Sequence, residues 1–228
     1  MSKVIAIDGP SGSGKSTIAK LVAKKLDFMY LDTGAMFRAI GFVLQKNQIS
    51  FSDLDNIKNF ITSMNFEYGV SENILVRINN TDLTATIREH QVSKLASEIS
   101  QIDLVRDYLK DKQRQIASKQ RSVLEGRDIG SVIFPDAPLK IFLTAAPEIR
   151  AKRRYEQLIE KDPSNSKKFS VKSILEDIIL RDKKDMKRDI APLVRPSDAF
   201  EIDTSSVGIE DITENIIELY KARIDLFC

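Results

Sequence analysis

The sequence predicts an α/β fold, a five-stranded parallel sheet with helices on both faces, on three observations. Five short apolar segments alternate with helical patterns, as expected for parallel strands joined by crossover helices. The first segment runs directly into a glycine-rich loop and then a helix. Finally, the segments stop at polar or acidic residues, Asp8, Asp32, Glu125, Thr144 and Asp203. Ligands of such sheets bind outside the carboxyl ends of the strands, so these ends are expected to ring the site.

In chain order, Val4–Ile7 reads as the first buried strand, and Ile18, Leu21, Val22 and Leu26 then recur at helical spacing. Phe28–Leu31 reads as the second buried strand. From Phe66 to Ile87 the period changes to two: Ile74, Val76 and Ile78 alternate with Leu75, Arg77 and Asn79, and Asn79-Asn80 can supply the left-handed residues of a hairpin turn. A small antiparallel insert is expected there, followed by helices over about Glu89–Ser100 and Asp103–Ser118. Ser122–Leu124, Leu139–Leu143 and Ala199–Ile202 are the remaining buried strands. Between two helices, Glu160–Phe169 carries Lys161, Pro163, Ser164, Asn165, Ser166, Lys167 and Lys168 and reads as a mobile polar loop. Basic loops beside a phosphate site often act as lids. There are no internal repeats.

Gly9-Pro10-Ser11-Gly12-Ser13-Gly14-Lys15-Ser16, followed by Thr17, spells G-x-x-x-x-G-K-S between the first strand and the first helix. Strand, glycine-rich loop and helix are the frame of a phosphate-binding P-loop. The glycines let the backbone turn its N–H groups inward, and the helix N-terminus aims partial positive charge at the same spot. Lys15 is then expected to reach the β- and γ-phosphates, and the Ser16 hydroxyl to ligate Mg²⁺. The fold class is thus a P-loop NTPase, a three-layer α/β/α domain, and the chain is expected to bind a nucleoside triphosphate.

Composition narrows the class. The 228 residues are 42% hydrophobic, enough for a real core. With 35 basic and 33 acidic residues the net charge is +2, which argues against a dedicated nucleic-acid binder. Cys228, the single cysteine, cannot form an internal disulfide, and the lone His90 sits in a polar stretch and reads as a surface residue. The initial apolar run ends at Asp8 after four residues, unlike a signal peptide, and no stretch approaches the roughly 18 apolar residues of a membrane span. A soluble cytoplasmic protein is expected.

One helix has a distinctive pattern. Ser173-Ile174-Leu175-Glu176 reads as a capping box. At about 100° per residue, Ile174, Ile178, Arg181, Asp185 and Arg188 share one stripe that starts apolar and ends charged. Either the helix leaves the core and overhangs a polar cavity, or Arg181 and Asp185 form a surface i,i+4 pair worth about 0.3–0.5 kcal/mol.

A P-loop does not name a reaction. A nucleotide-dependent switch and a motor or helicase ATPase are alternatives, but there is no Asn-Lys-x-Asp guanine reader, and helicases are usually longer with a more basic groove. A small-molecule kinase fits better, since it needs only the P-loop core, an acceptor-binding insert and a lid. Shikimate, gluconate, dephospho-coenzyme A and nucleoside monophosphate kinases share that plan. Over essentially its whole length the chain resembles the bacterial cytidylate kinase family. The matching segments are Ile7 to Thr17, Leu31-Asp32-Thr33-Gly34-Ala35-Met36-Phe37-Arg38, Glu125-Gly126-Arg127-Asp128-Ile129-Gly130, Phe134-Pro135-Asp136-Ala137, and Arg181-Asp182 through Ala191-Pro192-Leu193. The first is shared by many P-loop kinases. The second and third, with the R-D-x-x-D-x-x-R spacing of Arg181, Asp185 and Arg188, are diagnostic. Two departures are a serine at Ser131, where threonine is common, and a longer, more polar lid loop.

The resemblance implies one kinase domain over residues 1–228, with a monophosphate-binding insert at about 65–105 and a lid at about 152–172. It implies transfer of the ATP γ-phosphoryl to CMP or dCMP with Mg²⁺, by a cytoplasmic monomer of pyrimidine metabolism that acts on neither nucleic acid nor membrane. Lys15, Arg127, Arg181 and Arg188 would be catalytic, and Gly9 to Thr17 would hold ATP. Arg38, Arg127 and Arg188 would grip the acceptor phosphate, where a guanidinium fork fits. Arg181 and Asp185 would contact the acceptor ribose, and Ser97, Arg106 and Asp128 would read cytosine. Thr33 completes the CMP set. Arg150, Arg153 and Arg154 either face ATP or form a solvated charge run. Asp32 either holds Mg²⁺ through water or orients its loop. Both choices stay open on the sequence.

Overall fold

Val4–Asp8 (β1) is buried at every position because strands flank it on both sides. It is the centre of a five-stranded sheet with Met29–Asp32 (β2), Ser122–Gly126 (β6), Leu139–Thr144 (β7) and Phe200–Asp203 (β8), in the order β2-β6-β1-β7-β8. The β6–β1, β1–β7 and β7–β8 pairs are parallel, and register sets Asp8 beside Gly126 and Phe142, and Thr144 beside Asp203. The computed structural model describes residues 4–71, 73–89 and 92–225. His90 and Cys228 lie outside the described residues.

The chain divides into two units. One takes the chain up to Leu31 and from Ala117 onward; the other is Asp32–Ile116. In the first, Lys15–Leu26 (α1) and Ile209–Asp225 (α8) pack on the sheet. Ile18, Ala19, Val22 and Ala23 meet Ile5, Ile7, Val123, Leu139, Ile141 and Leu143 from the strands, and Ile212, Ile216, Ile217 and Tyr220 from α8. Each fully buried aliphatic side chain contributes about 1.5–3 kcal/mol, so this interior anchors the strand ends that carry the site. The expectation that all five strands are buried is corrected at the edges. Only Leu31 is buried in β2, and no residue of β8 is, because each edge strand has a neighbour on one side only.

The same unit carries a helical hairpin, Pro147–Lys161 (α6) and Val171–Lys187 (α7), joined by a short 3₁₀ turn over Pro163–Lys167. The segment read as a mobile polar loop contains this turn, with the Ser164 N–H and hydroxyl both donating to Asp162 at 2.9 Å. The capping box is also corrected. Ser170 is the N-cap and Ser173 the third helical residue, each bonded to the other's backbone, so the helix starts earlier than Ser173-x-x-Glu176 implied. Ala151, Leu158, Ile174 and Ile178 form the apolar seam of the hairpin.

The second unit holds Thr33–Lys46 (α2), Leu54–Ser63 (α3), Val92–Ile99 (α4), Asp103–Ala117 (α5, whose last residue belongs to the first unit) and an antiparallel sheet. That sheet runs Phe66–Tyr68 (β3), Val76–Ile78 (β4) and Thr81–Asp82 (β5), with Phe66 opposite Ile78 and Ile78 opposite Thr81. Asn79 and Asn80 turn the hairpin at φ 47° and 64°, the left-handed pair read from the sequence. Gly41 lets α2 approach α4, since a Cβ there would lie 2.9 Å from that of Leu95. The expected insert at about 65–105 is thus one part of a larger unit that also contains α2, α3 and most of α5.

Candidate active site

The loop between β1 and α1 is built so that two of its peptide planes are held from outside by Arg150 and Thr204. Gly9, Gly12 and Gly14 have φ of 148°, 78° and 88°. At Gly9 a side chain is impossible, because its Cβ would lie 2.1 Å from the Leu143 carbonyl oxygen. The Ser11 carbonyl accepts from Arg150 at 2.9 Å, the Ser13 carbonyl from the Thr204 hydroxyl at 3.0 Å, and the Pro10 carbonyl from Lys15 Nζ at 2.7 Å. Peptide planes here are trans, so the N–H of the next residue points away from each carbonyl. The Gly12 and Gly14 N–H groups are thereby turned away from Arg150 and Thr204, toward the loop interior at the N-terminus of α1. This is an anion nest.

Around it the first unit gathers charge. Lys15 is 4% exposed, and burial, reinforced by the nearby Arg127, pushes its ammonium down to about 7. Arg127 donates Nε to Asp185 at 3.0 Å and a second nitrogen to the Gly126 carbonyl at 3.2 Å. Burial alone would lower the Arg127 pKa, but Asp185, Glu125 and Asp182 reverse that and hold it above the ordinary value. Burial alone would raise Asp185, yet Arg127, Arg181 and Arg188 hold it below the ordinary carboxylate range. Arg188 lies 4.0 Å from both Asp128 and Asp185 and donates Nε to the Ala191 carbonyl at 2.5 Å. Tyr30 donates its hydroxyl to Glu125 at 2.7 Å.

The helical stripe is thus partly corrected. The buried residues of α7 are Ile174, Ile178, Asp182 and Asp185; Asp182 flanks the stripe and is buried all the same, while Arg181, within the stripe, is half-buried. Arg188 is the C-cap, with extended backbone at φ −67° and ψ 143°, so it leaves the helical stripe altogether. Asp185 is buried and bonded to Arg127; it is not half of a surface pair.

Asp8 ties the loop to the segment that carries Arg127 and Asp128. Ile129 and Gly130 N–H donate to its two oxygens at 2.9 and 2.7 Å, at the start of a π-helical turn over Ile129–Ile133. Burial pushes the Asp8 carboxyl up to about 6, against the pull of those amides, and Asp128 adds repulsion. A carboxyl-carbon NMR titration should therefore give Asp8 a midpoint near 6 and not its ordinary 3.8. The folded value is the higher one, so Asp8 contributes stability that is fully present below pH 3.8 and is lost as pH rises through 6. This contribution is about 3 kcal/mol, at 1.36 kcal/mol for each tenfold change in proton affinity. A midpoint at or below 4 would mean that the amides outweigh burial.

The second unit holds the other predicted acceptor residues. Asp32 caps α2 through Ala35 N–H at 2.7 Å and pairs with Arg38 at 2.9 Å, so both carboxylate oxygens serve the start of α2. That favours the orienting role over a hydrated metal ion. Thr33 is buried. Arg106 is also buried, donates to the Ser100 carbonyl at 2.9 Å and stacks 5.7 Å from the Phe37 ring centroid, while Ser100 bonds to the Ser97 carbonyl at 2.9 Å. Ser97 and Arg106 are therefore linked through Ser100.

Among the described residues, no group of three or more His, Cys, Asp or Glu is arranged to hold a metal ion. Ser16, exposed on the first turn of α1, suits an ion that takes one protein oxygen and completes its shell with phosphate and water, the usual habit of Mg²⁺.

A family model for cytidylate kinase matches residues 5–222. The chain belongs to the cytidylate kinase family. The cytidylate kinase of Clostridium tetani is 46% identical to it over 98% of this chain and 96% of that one. A bifunctional pantoate ligase/cytidylate kinase of Prochlorococcus marinus is 44% identical over 97% of this chain, which spans 43% of that longer protein. A gluconokinase structure from Sinorhizobium meliloti superposes with a TM-score of 0.51 at 13% identity, covering 99% of this chain and 96% of that one, a likeness of fold. As a member of the cytidylate kinase family the chain is a phosphotransferase. No helix among its described residues is long and apolar enough to cross a membrane.

In this kinase, sequence reading left the supports of the loop unassigned. Arg150 is neither solvated nor lined up as a free ATP ligand: it is 3% exposed and bonded to Ser11, Ala145 and Asp182. Arg153 donates to the Thr204 hydroxyl at 2.9 Å and to the Thr204 carbonyl at 2.5 Å. The available signals were weak: a charged residue closing β1, and an aspartate four residues after Ile178 on α7.

Proposed function

We propose that this kinase transfers the γ-phosphoryl group of ATP to the phosphate of CMP or dCMP, giving ADP and CDP or dCDP. The observation that carries the proposal is the joining of the anion nest, Lys15, Arg127, Arg181 and Arg188 in one unit, with Asp185 holding Arg127. The acceptor phosphate is already anionic near neutral pH, so the reaction needs positioned cations and no general base. Lys15 and the loop amides hold the donor phosphates; Arg127 and Arg188, with Arg38, hold the acceptor phosphate. Arg181 and Asp185 serve the acceptor ribose, Thr33 lines the CMP site, and Ser97, Arg106 and Asp128 read the base. Ser16 would hold Mg²⁺, which would supply charge neutralisation to the donor phosphates. The charge balance of +2 supports a small nucleotide acceptor over a nucleic acid, and we extend the reading to a cytoplasmic monomer with a lid at about 152–172. A coupled assay of ADP formation against CMP, dCMP, UMP, AMP and shikimate tests it. Activity confined to shikimate, or ATP hydrolysis stimulated by nucleic acid with no acceptor phosphorylated, would overturn it.

Asp128 sets base choice within this reading. Cytosine presents an N4 amino donor where uracil presents an O4 acceptor, and a carboxylate accepts from the first and repels the second. Asp128→Ala should shrink the CMP-to-UMP preference in kcat/KM by at least about tenfold, the scale of a hydrogen bond to a charged group. An equal fall on both substrates would make Asp128 a support for Arg188, which lies 4.0 Å away.

A further inference from the structure

Arg150 spends its whole guanidinium inside the protein. From α6 it donates Nε to the Ala145 carbonyl at 2.9 Å, one terminal nitrogen to the Ser11 carbonyl of the phosphate loop at 2.9 Å, and the other to Asp182 on α7 at 2.6 Å. Asp182 follows Arg181 directly and precedes Asp185 by less than one helical turn. An anchor at Asp182 therefore fixes the rotation of the turn that presents Arg181 and Asp185. A second observation shows how closely α6 approaches the loop: a Cβ at Gly12 would lie 3.2 Å from that of Arg150. Only a fork with three separated donors can bond a loop carbonyl, a strand-end carbonyl and a carboxylate at once.

We propose that Arg150 and Asp182 form a positioning pair that locks the turn of α7 carrying Arg181 and Asp185 to the backbone of the phosphate loop. The pair thereby couples donor binding to the placement of Arg181 and Asp185 on the acceptor side of the site. The inference deepens the proposed kinase reaction and rests on it for its turnover readout. Neither residue touches substrate; both act through groups that do. A second-line contact of this kind matters because a displacement of about 1 Å at reacting groups can cost on the order of 100-fold in rate.

Removing one partner of a buried pair can unfold a protein, whereas replacing both by apolar residues is often neutral. The test therefore uses Arg150→Lys, which keeps a charge but not the fork, and the double variant Arg150→Met with Asp182→Leu. Four quantities are measured on the full chain: melting temperature, affinity for the fluorescent nucleotide mant-ADP, and kcat and KM with CMP. In at least one variant melting within a few degrees of the parent, mant-ADP affinity and kcat should each fall by roughly tenfold to 100-fold. Parental mant-ADP affinity and kcat in the folded double variant would overturn the proposal, as would full recovery of both by Arg150→Lys. Should the parent fail to phosphorylate CMP while mant-ADP affinity still falls in these variants, the reaction assignment fails but the hold of the pair on the loop stands.

Discussion

Lys15→Ala lowers kcat by about 10²–10³, the loss seen when one preorganised donor to transition-state charge is removed, and leaves the fold intact. The side chain does not hold the core together. Its ammonium is buried beside Arg127, bonded to the Pro10 carbonyl at 2.7 Å, and burial depresses its pKa to about 7. A group whose charged form is disfavoured by its surroundings costs the empty protein stability, and alanine removes that cost. Its value appears when phosphate arrives and brings charge for the ammonium to meet. A circular dichroism melt beside a steady-state assay checks both halves. Near-parental turnover would remove the P-loop assignment. A melting temperature lowered by much more than a few degrees would show that the Pro10 contact is structural.

Arg188→Ala damages turnover far more than Lys187→Ala, with kcat/KM falling on the order of 10²–10³ for the first and by about twofold or less for the second. These neighbours end the same helix but meet opposite surroundings. Lys187 is exposed on the last turn, whereas the Arg188 guanidinium is buried against the Ala191 carbonyl and lies 4.0 Å from both Asp128 and Asp185. Removing it leaves two buried carboxylates short of a neighbouring cation and takes away a fork for the acceptor phosphate. Equal and small effects from the two substitutions would make the end of α7 a solvated face. The contrast no longer depends on helical phase, since Arg188 has extended backbone beyond the last helical residue.

By itself the sequence determined what local chemistry dictates. The glycine spacing between an aliphatic run and an amphipathic helix has few other uses, and Asn79-Asn80 is among the few side-chain pairs that accept two successive left-handed residues. The apolar period placed five strands within a residue or two of where they lie, because short apolar runs between helical patterns are too short to be helices and suit a sheet. Periodicity could not say which strands are edges, since an edge differs from a centre only in having one neighbour, a property of strand order. Nor could it place the true cap of α7: Ser170 and Ser173 are equally good caps in isolation, and the packing of α6 against α7 chooses between them. Only the tertiary structure decided what the charged residues do. Arg150 and Arg153 are indistinguishable from a solvated run until α6 is laid against the phosphate loop and the end of β8, where Ser11 and Thr204 meet them. Asp8 and Ile129 are separated by 121 positions, and their hydrogen bond exists because β1 and β6 are neighbours in the sheet. Buried charge is tolerated only where a partner of opposite sign or a backbone dipole meets it, and the fold alone brings those partners within reach.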